Sequence, residues 1–315
     1  MRRRFPLRPL RQVLTCALIA AIPLPTVEAQ PAGQGFDAYL TQVAARARRE
    51  GVSEVSISRV LTGLTPNSRV IALDGGQPGR AGTPPLTAPY IATHVDAQRI
   101  QRGRARYRQV SGSLPAIERR YGVPGPIMMA IWGHETNYGG YTGDFDLARS
   151  LATLAWEGRR RPLFEGELIA LLKMVDRGVP TYRLKGSWAG AFGNPQFLPS
   201  VYLKLAADGD GDGDADIWSS DADTLASIAN YFRDAGWRPG EPWGVRARVP
   251  ADLVANNASK LAAPSCDRGH ARHSRWRTVS EWMTLPEATS RAAYRFVVPW
   301  RCSPRQRGAK AGSLA

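Results

Sequence analysis

The stretch from Gly125 to Gly140 constrains the fold of this chain more than any other part of the sequence. A proline near its start suits the first turn of a helix, where an amide hydrogen would be unpaired in any case. Four apolar side chains then recur at helical spacing and predict a stripe that packs on a core: Ile127, Met128, Ile131 and Trp132. The final glycine pair, Gly139 and Gly140, is expected to stop this helix.

Glu135 lies four residues after Ile131 and three after Trp132, so helical geometry carries its carboxyl to the end of the apolar stripe. Burial beside apolar groups disfavours the charged carboxylate and raises its pKa, which lets the group hold a proton near neutral pH. A general acid needs that property. Glu135 is therefore the candidate catalytic residue, and the alternative is an ordinary glutamate near a helix end that faces water.

The segment Ile131–Gly139 resembles the catalytic helix of the lytic murein transglycosylase B family. Further segments resemble the same family in the same order, and they are Ser150–Ala155, Lys185–Ser200 and Ala229–Phe232. The resemblance covers roughly residues 36 to 250. It implies a mainly α (α+β) fold with a lysozyme-like catalytic domain, a helical N-terminal part and a small C-terminal satellite. It also implies that the partner is the glycan strand of peptidoglycan.

The resemblance further implies cleavage between N-acetylmuramic acid and N-acetylglucosamine without water. Glu135 would protonate the glycosidic oxygen and then act as a base toward the muramoyl 6-hydroxyl, which closes a 1,6-anhydro ring. Most glycosidases instead use two carboxylates. The nearest candidates for a second one are Asp144 and Asp146, and their spacing marks neither as nucleophile or base. A muramidase-type hydrolase and a non-catalytic peptidoglycan-binding protein remain alternatives, and no catalytic cofactor is expected.

The segment Lys185–Ser200 is the second candidate for function, because its glycines and alanines leave room for a ligand near the backbone. It lacks the ending of a phosphate-binding loop. The amide of Gln196 both donates and accepts hydrogen bonds, as sugar hydroxyls and N-acetyl groups require. The alternative is a tight turn that packs on the core. The resemblance implies that Ser187 and Gln196 line the glycan groove and that Tyr231 lies near the sugar, although Tyr231 fits a core aromatic equally well.

Carboxylates alternate along the loop Asp208–Asp216, as a hard cation such as Ca²⁺ or Na⁺ requires. An EF-hand register that starts at Asp208 places Gly213 at the sharp turn but ends at Ser219. A register two residues later ends on an aspartate but places an alanine at the turn, and a solvated acidic loop without an ion is a further alternative.

The resemblance favours the first of these registers and implies one structural ion. The implied ligands are the side chains of Asp208, Asp210 and Asp212, the backbone carbonyl of Asp214 and the distant carboxylate of Asp223. The four histidines of the chain are scattered, and no cysteines stand near them at zinc spacing, so no zinc site is predicted.

Residues 1–29 have the order of a secretory signal, with arginines, then an apolar run from Val13 to Ile22, then small residues before Gln30. The run is too short to span a bilayer. We expect an exported, periplasmic, soluble protein without a stable membrane anchor. Removal of residues 1–29 takes away five Arg and one Glu and leaves a formal charge of +11. Such a charge suits a polyanion, and export favours the cell wall, with other wall enzymes as further partners, over nucleic acid.

The expected organisation after the signal is a lytic transglycosylase domain at 30–250 and a small satellite at 251–315. Cys266 and Cys302 remain in the exported chain, where an even count of cysteines favours a disulfide. The resembling family carries Tyr-Asn where this chain has Trp300–Arg301, and its asparagine contacts the sugar. This departure weighs against full activity, and the C-terminal end is interpreted as either a divergent tail or a truncated gene.

Overall fold

The computed structural model describes residues 35–77 and 87–240, and helices account for most of them. The mainly helical class predicted from the sequence is therefore confirmed. Within the described ranges, every helix is too short or too polar to cross a lipid bilayer. The predictions for the signal peptide at 1–29, for Cys266 and Cys302, for Trp300–Arg301 and for the satellite at 251–315 lie outside the described residues.

The helices follow one another with short connections. They are α1 (Phe36–Arg49), α2 (Glu54–Leu61), α3 (Ser68–Gly75), α4 (Thr87–His94), α5 (Ala97–Gln109), α6 (Leu114–Tyr121), α7 (Gly125–Thr136), α8 (Leu147–Glu157), α9 (Arg161–Asp176), α10 (Pro199–Leu205) and α11 (Asp221–Asp234). Local signals explain many of the starts. Asp96, Asp146 and Ser220 cap α5, α8 and α11 by accepting backbone N–H bonds. Proline lies in the first turn of α6, α7, α9 and α10.

A two-stranded antiparallel ribbon joins the chain after α7 to the glycine-rich segment. Its strands are β1 (Phe145–Asp146) and β2 (Lys185–Gly186), and Phe145 pairs with Gly186. The backbones meet so closely that a Cβ at Gly143 would collide with the backbone of Gly186. Gly143 also has a φ of +97°, which other residues rarely adopt. The ribbon therefore depends on glycine at this crossing.

Two apolar clusters make up the described core. The first packs α1, α2, α8, α9 and α10 together, with Leu151 and Leu168 fully buried at the contact of α8 and α9. The second packs α6, α7 and α11 together, and it includes Met128 and Trp132 of α7, both fully buried. Burial of a side chain of this size contributes roughly 1.5–3 kcal/mol to folding. The stripe predicted on α7 thus fixes this helix to the core, and its last turn lies at the edge of the cluster.

Candidate active site

The helix that carries Glu135 ends at Thr136, before the glycine pair that was expected to stop it. Asn137 and Tyr138 both adopt the left-handed conformation, with φ of 54° and 61°. Asparagine commonly adopts that conformation at a helix end, whereas for a tyrosine it costs about 1–3 kcal/mol, and such strain clusters at functional sites. Among the described residues the third non-glycine case is Gln196, with φ of 50°. The helix thus ends three residues before the predicted glycine pair, on an asparagine in the left-handed conformation that commonly terminates helices.

Thr136 makes tertiary contacts at this helix end. Its side chain is 2% exposed, and its hydroxyl donates to the Asn194 carbonyl at 2.9 Å. The same hydroxyl accepts the Gly139 N–H at 3.1 Å, and the Thr136 carbonyl accepts the Tyr141 N–H at 3.1 Å. The residue after Glu135 is therefore tied to the glycine-rich segment, which fixes the position of the Glu135 backbone.

Glu135 itself is exposed, so the structure corrects the expectation of a carboxyl buried among apolar side chains. The last turn of α7 reaches the surface, where the carboxyl can meet a ligand. Even so, partial burial raises the pKa of the Glu135 carboxyl, and the charge of the neighbouring His134 acts in the opposite direction. Within the described chain no side chain or amide donates a hydrogen bond to this carboxyl. Glu135 is thus a reachable carboxyl whose pKa lies above its ordinary value.

Three rings cluster beside Glu135, and the sequence did not reveal this. Tyr90 and His94 of α4 stack with ring centroids 3.9 Å apart. His134 lies 5.7 Å from His94 between ring centroids, and its Nε2 is 3.3 Å from the Tyr90 hydroxyl. The interpretation of the histidines as scattered is therefore wrong for this pair. Spacing of four between Tyr90 and His94 on one helix was the available signal, but their contact with α7 is long-range.

Ser187 and Gln196 both form side-chain hydrogen bonds to the backbone, which stabilise the glycine-rich segment and the loop after α7. The Ser187 hydroxyl accepts the Ala191 N–H at 3.0 Å and closes a tight turn. The Gln196 amide donates to the carbonyls of Thr142 and Gly193, each at 3.0 Å. Among the described residues, none donates to the Gln196 side-chain carbonyl oxygen. Gln196 therefore holds the loop after α7 with its donors and leaves an acceptor available.

Tyr231 is a surface residue with 46% exposure, so the reading as a core aromatic does not hold. Its ring packs on Phe197 at 5.9 Å and on Phe232 at 6.4 Å between centroids. Phe197 directly follows Gln196, so Tyr231 belongs to the same surface as the glycine-rich segment. A half-exposed, firmly packed aromatic ring is a suitable platform for the apolar face of a sugar.

The two candidates for a second carboxylate already have other roles. Asp146 caps α8 by accepting the Arg149 N–H at 2.8 Å. Asp144 accepts the Tyr141 hydroxyl at 3.1 Å. Neither arrangement prepares a nucleophile or a base that acts with Glu135. Asp144 and Asp146 thus each have a hydrogen-bond partner, whereas Glu135 has none among the described residues.

The aspartate loop brings three of its carboxylates close together. Oxygens of Asp208, Asp210 and Asp212 all lie within 4.8 Å of one another. Gly213 has a φ of +93° and donates its N–H to Asp208 at 3.0 Å. The Asp214 N–H donates to Asp212 at 2.8 Å. A set of hard oxygen donors this compact fits a hard cation such as Ca²⁺.

Asp223 closes the loop from α11. It is fully buried, and its two carboxylate oxygens accept the N–H groups of Gly209 and Asp216, each at 2.7 Å. Burial raises the pKa of Asp223, and the nearby charges of Asp208 and Asp210 add to that rise. The predicted distant ligand therefore stands as a clamp on both ends of the loop, outside the group of three carboxylates.

The sequence of this chain matches one protein family and a known member of it. The family model described as "Transglycosylase SLT domain" matches residues 35–299. Membrane-bound lytic murein transglycosylase B of Escherichia coli (strain K12) is 32% identical over 229 residues, which are 68% of this chain and 63% of that protein. The chain thus spans less than two thirds of that relative.

Solved structures of lytic transglycosylases are also similar to this chain. SltB3 from Pseudomonas aeruginosa, in complex with NAG-NAM-pentapeptide, is similar with a TM-score of 0.66 and 39% identity, over 72% of this chain and 60% of that one. The Escherichia coli lytic transglycosylase Slt35, in complex with calcium, is similar with a TM-score of 0.60 and 31% identity, over 68% of each chain.

Proposed function

Because this chain belongs to the transglycosylase SLT domain family, we propose that it is a lytic murein transglycosylase that cuts the glycan strands of peptidoglycan. The observation that supports this most directly is Glu135, a surface carboxyl at a strained helix end whose pKa is raised by partial burial. Its position in the family's motif order adds to that support. The two candidates for a second carboxylate, Asp144 and Asp146, each accept a hydrogen bond from another part of the fold.

In the proposed reaction, Glu135 donates its proton to the oxygen that links C1 of N-acetylmuramic acid to N-acetylglucosamine. The C1–O bond breaks, and positive charge develops at C1. The Glu135 carboxylate then takes the proton from the muramoyl 6-hydroxyl, whose oxygen bonds to C1 and closes the 1,6-anhydro ring. Glu135 regains the proton it lost, and no water enters the products.

We assign the glycan contacts to residues near the end of α7. The side-chain carbonyl of Gln196 would accept a sugar hydroxyl or an N-acetyl N–H, since its amide hydrogens are already used. Tyr231 would pack on a sugar ring. Ser187 is proposed to shape the groove through the turn that its hydroxyl closes.

We also propose one structural cation in the aspartate loop, Ca²⁺ or Na⁺. The compact carboxylate oxygens and the positive φ of Gly213 support it. The calcium-containing structure of Slt35 is consistent with it. The proposed ligands are the side chains of Asp208, Asp210 and Asp212 and the carbonyl of Asp214, with Asp223 holding the loop closed. The cation would neutralise carboxylates that repel one another, and it has no part in the bond cleavage.

The proposed location is the periplasm, and its support is the signal-like order of residues 1–29. Cleavage after Ala29 would leave a basic protein that is attracted to an anionic wall, and Cys266 and Cys302 would then pair. N-terminal sequencing of the protein recovered from the periplasm tests this: a first residue other than Gln30 would contradict the cleavage site.

The decisive experiment is mass spectrometry of the soluble fragments that the chain from Gln30 to Ala315 releases from purified peptidoglycan. Anhydromuramoyl ends that disappear in Glu135→Gln are expected. Reducing ends would instead indicate a muramidase-type hydrolase and direct attention to Asp144. Wall binding without any release, equal in both proteins, would indicate the non-catalytic peptidoglycan-binding alternative.

A further inference from the structure

The chain changes direction at Tyr138, three residues after Glu135. Tyr138 has a φ of 61°, which is unusual for a tyrosine. Its N–H donates to the Trp132 carbonyl at 3.4 Å, and the Asn137 N–H donates to the Gly133 carbonyl at 3.1 Å. These two bonds form a Schellman motif. A residue in a strained conformation keeps it only where surrounding contacts enforce it, so the contacts of Tyr138 determine the shape of the turn that follows Glu135.

The ring of Tyr138 lies in a notch between α5 and α7 that two glycines leave open. A Cβ at Gly103 of α5 or at Gly133 of α7 would collide with this ring. The ring also meets the edge of the Trp132 ring, with centroids 5.8 Å apart. Burial raises the pKa of the Tyr138 hydroxyl. The two helices therefore approach each other closely around this one side chain.

Arg106 of α5 contacts α7 on both sides of Glu135. Its Nη2 donates a hydrogen bond to the Tyr138 carbonyl at 3.4 Å. Its Cζ lies 5.1 Å from the centroid of the Trp132 ring, over the ring face, and Trp132 is fully buried. Trp132 lies three residues before Glu135, and Tyr138 lies three residues after it. One guanidinium therefore spans the turn of chain that carries the candidate acid.

Two further groups orient the same guanidinium. Its Nη1 lies 3.3 Å from Oδ2 of Asp221, in the first turn of α11. The same nitrogen donates to Oε1 of Gln109 at 3.0 Å. The side chains of Arg106 and Asp221 are 34% and 30% exposed, so solvent and salt screen this pair less than they screen a fully exposed pair. The planar guanidinium thus joins α5, α7 and α11 at one point.

We propose that Arg106 is a positioning residue, which fixes Glu135 by holding Tyr138 and the end of α7. This inference rests on the proposed function, because it takes Glu135 as the acid. Thr136 ties the same helix end to the glycine-rich segment, so Glu135 lies between two anchors. An acid must lie within hydrogen-bond reach of the oxygen that it protonates, and a misplacement of about 1 Å lowers a rate by about 100-fold. Loss of Arg106 therefore affects turnover and leaves substrate affinity intact.

Rates on soluble glycan strands test the inference, at a temperature at which circular dichroism shows every variant folded. Arg106→Ala should lower kcat roughly tenfold and leave KM unchanged. Arg106→Lys keeps the charge but lacks the planar fork, so its kcat should also be several-fold low. Arg108→Ala is the matched control, since it removes the same charge from an exposed position of α5, and it should retain the parent kcat. A raised KM with unchanged kcat, or full activity in Arg106→Lys, would overturn the proposal.

Hydrogen exchange separates this inference from the proposed function, because it needs no turnover. The backbone N–H groups of residues 137–139 are all hydrogen-bonded. In Arg106→Ala they should exchange roughly tenfold faster, while the amides of α9 keep their rates. Arg108→Ala should change neither region. Equal acceleration in α9, or none at the end of α7, would overturn the proposal. If the parent protein cuts no glycan, the proposed function fails, whereas the exchange rates still decide whether Arg106 holds this helix end.

Discussion

Glu135 and Asp208 are both carboxyl groups at the protein surface, yet the structure pushes their pKa values in opposite directions. Partial burial without a hydrogen-bond donor raises the pKa of Glu135. Two backbone N–H groups, from Gly211 and Gly213, lower the pKa of Asp208. One environment therefore favours a group that keeps a proton, and the other favours a group that keeps a charge. The number of donors that the backbone supplies separates the proposed general acid, Glu135, from the proposed cation ligand, Asp208.

The two carboxyls also have opposite effects on stability as the pH changes. A lowered pKa in the folded state means that Asp208 contributes stability above its unfolded pKa of about 3.9 and loses it as the pH falls further. A raised pKa means that the Glu135 environment favours folding while the group is protonated and loses that contribution as the pH rises through its folded pKa.

The largest expected effect is the loss of catalysis when Glu135 is replaced. Glu135→Gln should lower kcat by about 10²–10⁴, because an amide cannot donate and retrieve the proton. Its melting temperature should stay close to that of the parent protein, since the residue is exposed. Release of soluble muropeptides over time gives the rates. Asp144→Asn is the matched control, and an equally large loss there would argue for a two-carboxylate hydrolase.

The next largest effect is on the stability of the folded protein, which a cation bound at Asp208 should increase. Calcium at a hundredfold excess over its Kd should stabilise the protein by about 2.7 kcal/mol and raise the melting temperature by roughly 5–10 °C. Asp208→Asn should remove most of that shift, while Asp37→Asn, an exposed position on α1, should keep it. Calorimetry with calcium or with a chelator measures both. A parent protein that melts at the same temperature in both conditions would leave the loop without its proposed ion.

A smaller effect tests how the position of Glu135 is fixed. Thr136→Val keeps the shape of the side chain but leaves the Asn194 carbonyl and the Gly139 N–H without their partner. We expect a loss of about 1–3 kcal/mol in the free energy of unfolding and a several-fold lower kcat in the folded protein. Urea unfolding and rate measurements report these. Thr136→Ser keeps the hydroxyl and should retain most of the activity; if it behaves like valine, packing matters here and the hydrogen bonds do not.

The smallest effect is a shift in the pH profile. A charged His134 lowers the pKa of Glu135, so His134→Gln should raise that pKa and move the alkaline limb of activity to higher pH. The plateau value of kcat should be unchanged, because the acid itself is intact. Rates measured across the pH range locate the limb. Movement toward lower pH would show that His134 acts through its contact with Tyr90 and not through its charge.

The sequence predicted the features of the site that depend on local pattern. Helical spacing revealed the apolar stripe of α7, and alternate carboxylates revealed the aspartate loop. The family predicted from the motifs, that of lytic murein transglycosylases, is confirmed by the comparisons. The roles of Glu135, Ser187, Gln196 and Tyr231 stay predictions.

Features that depend on distant partners could not be predicted. The last residue of α7, Thr136, donates a hydrogen bond to the carbonyl of Asn194, which lies 58 positions further along the chain. The ring of His94 meets that of His134 across two different helices. No local propensity encodes either contact, because each depends on how separate helices pack. The left-handed conformation of Asn137 is one that asparagine commonly adopts at a helix end, so it was a local signal, whereas that of Tyr138 is unusual for its residue type.

The bond between Thr136 and Asn194 also has a consequence for the order of folding. Contacts between distant positions form slowly, because the intervening chain must first lose much of its freedom. The helix pair α8 and α9 lies between these two residues and can form from nearby contacts first. Glu135 would then reach its final position among the last events. A newly made chain would therefore gain the proposed catalytic arrangement only when its fold is nearly complete.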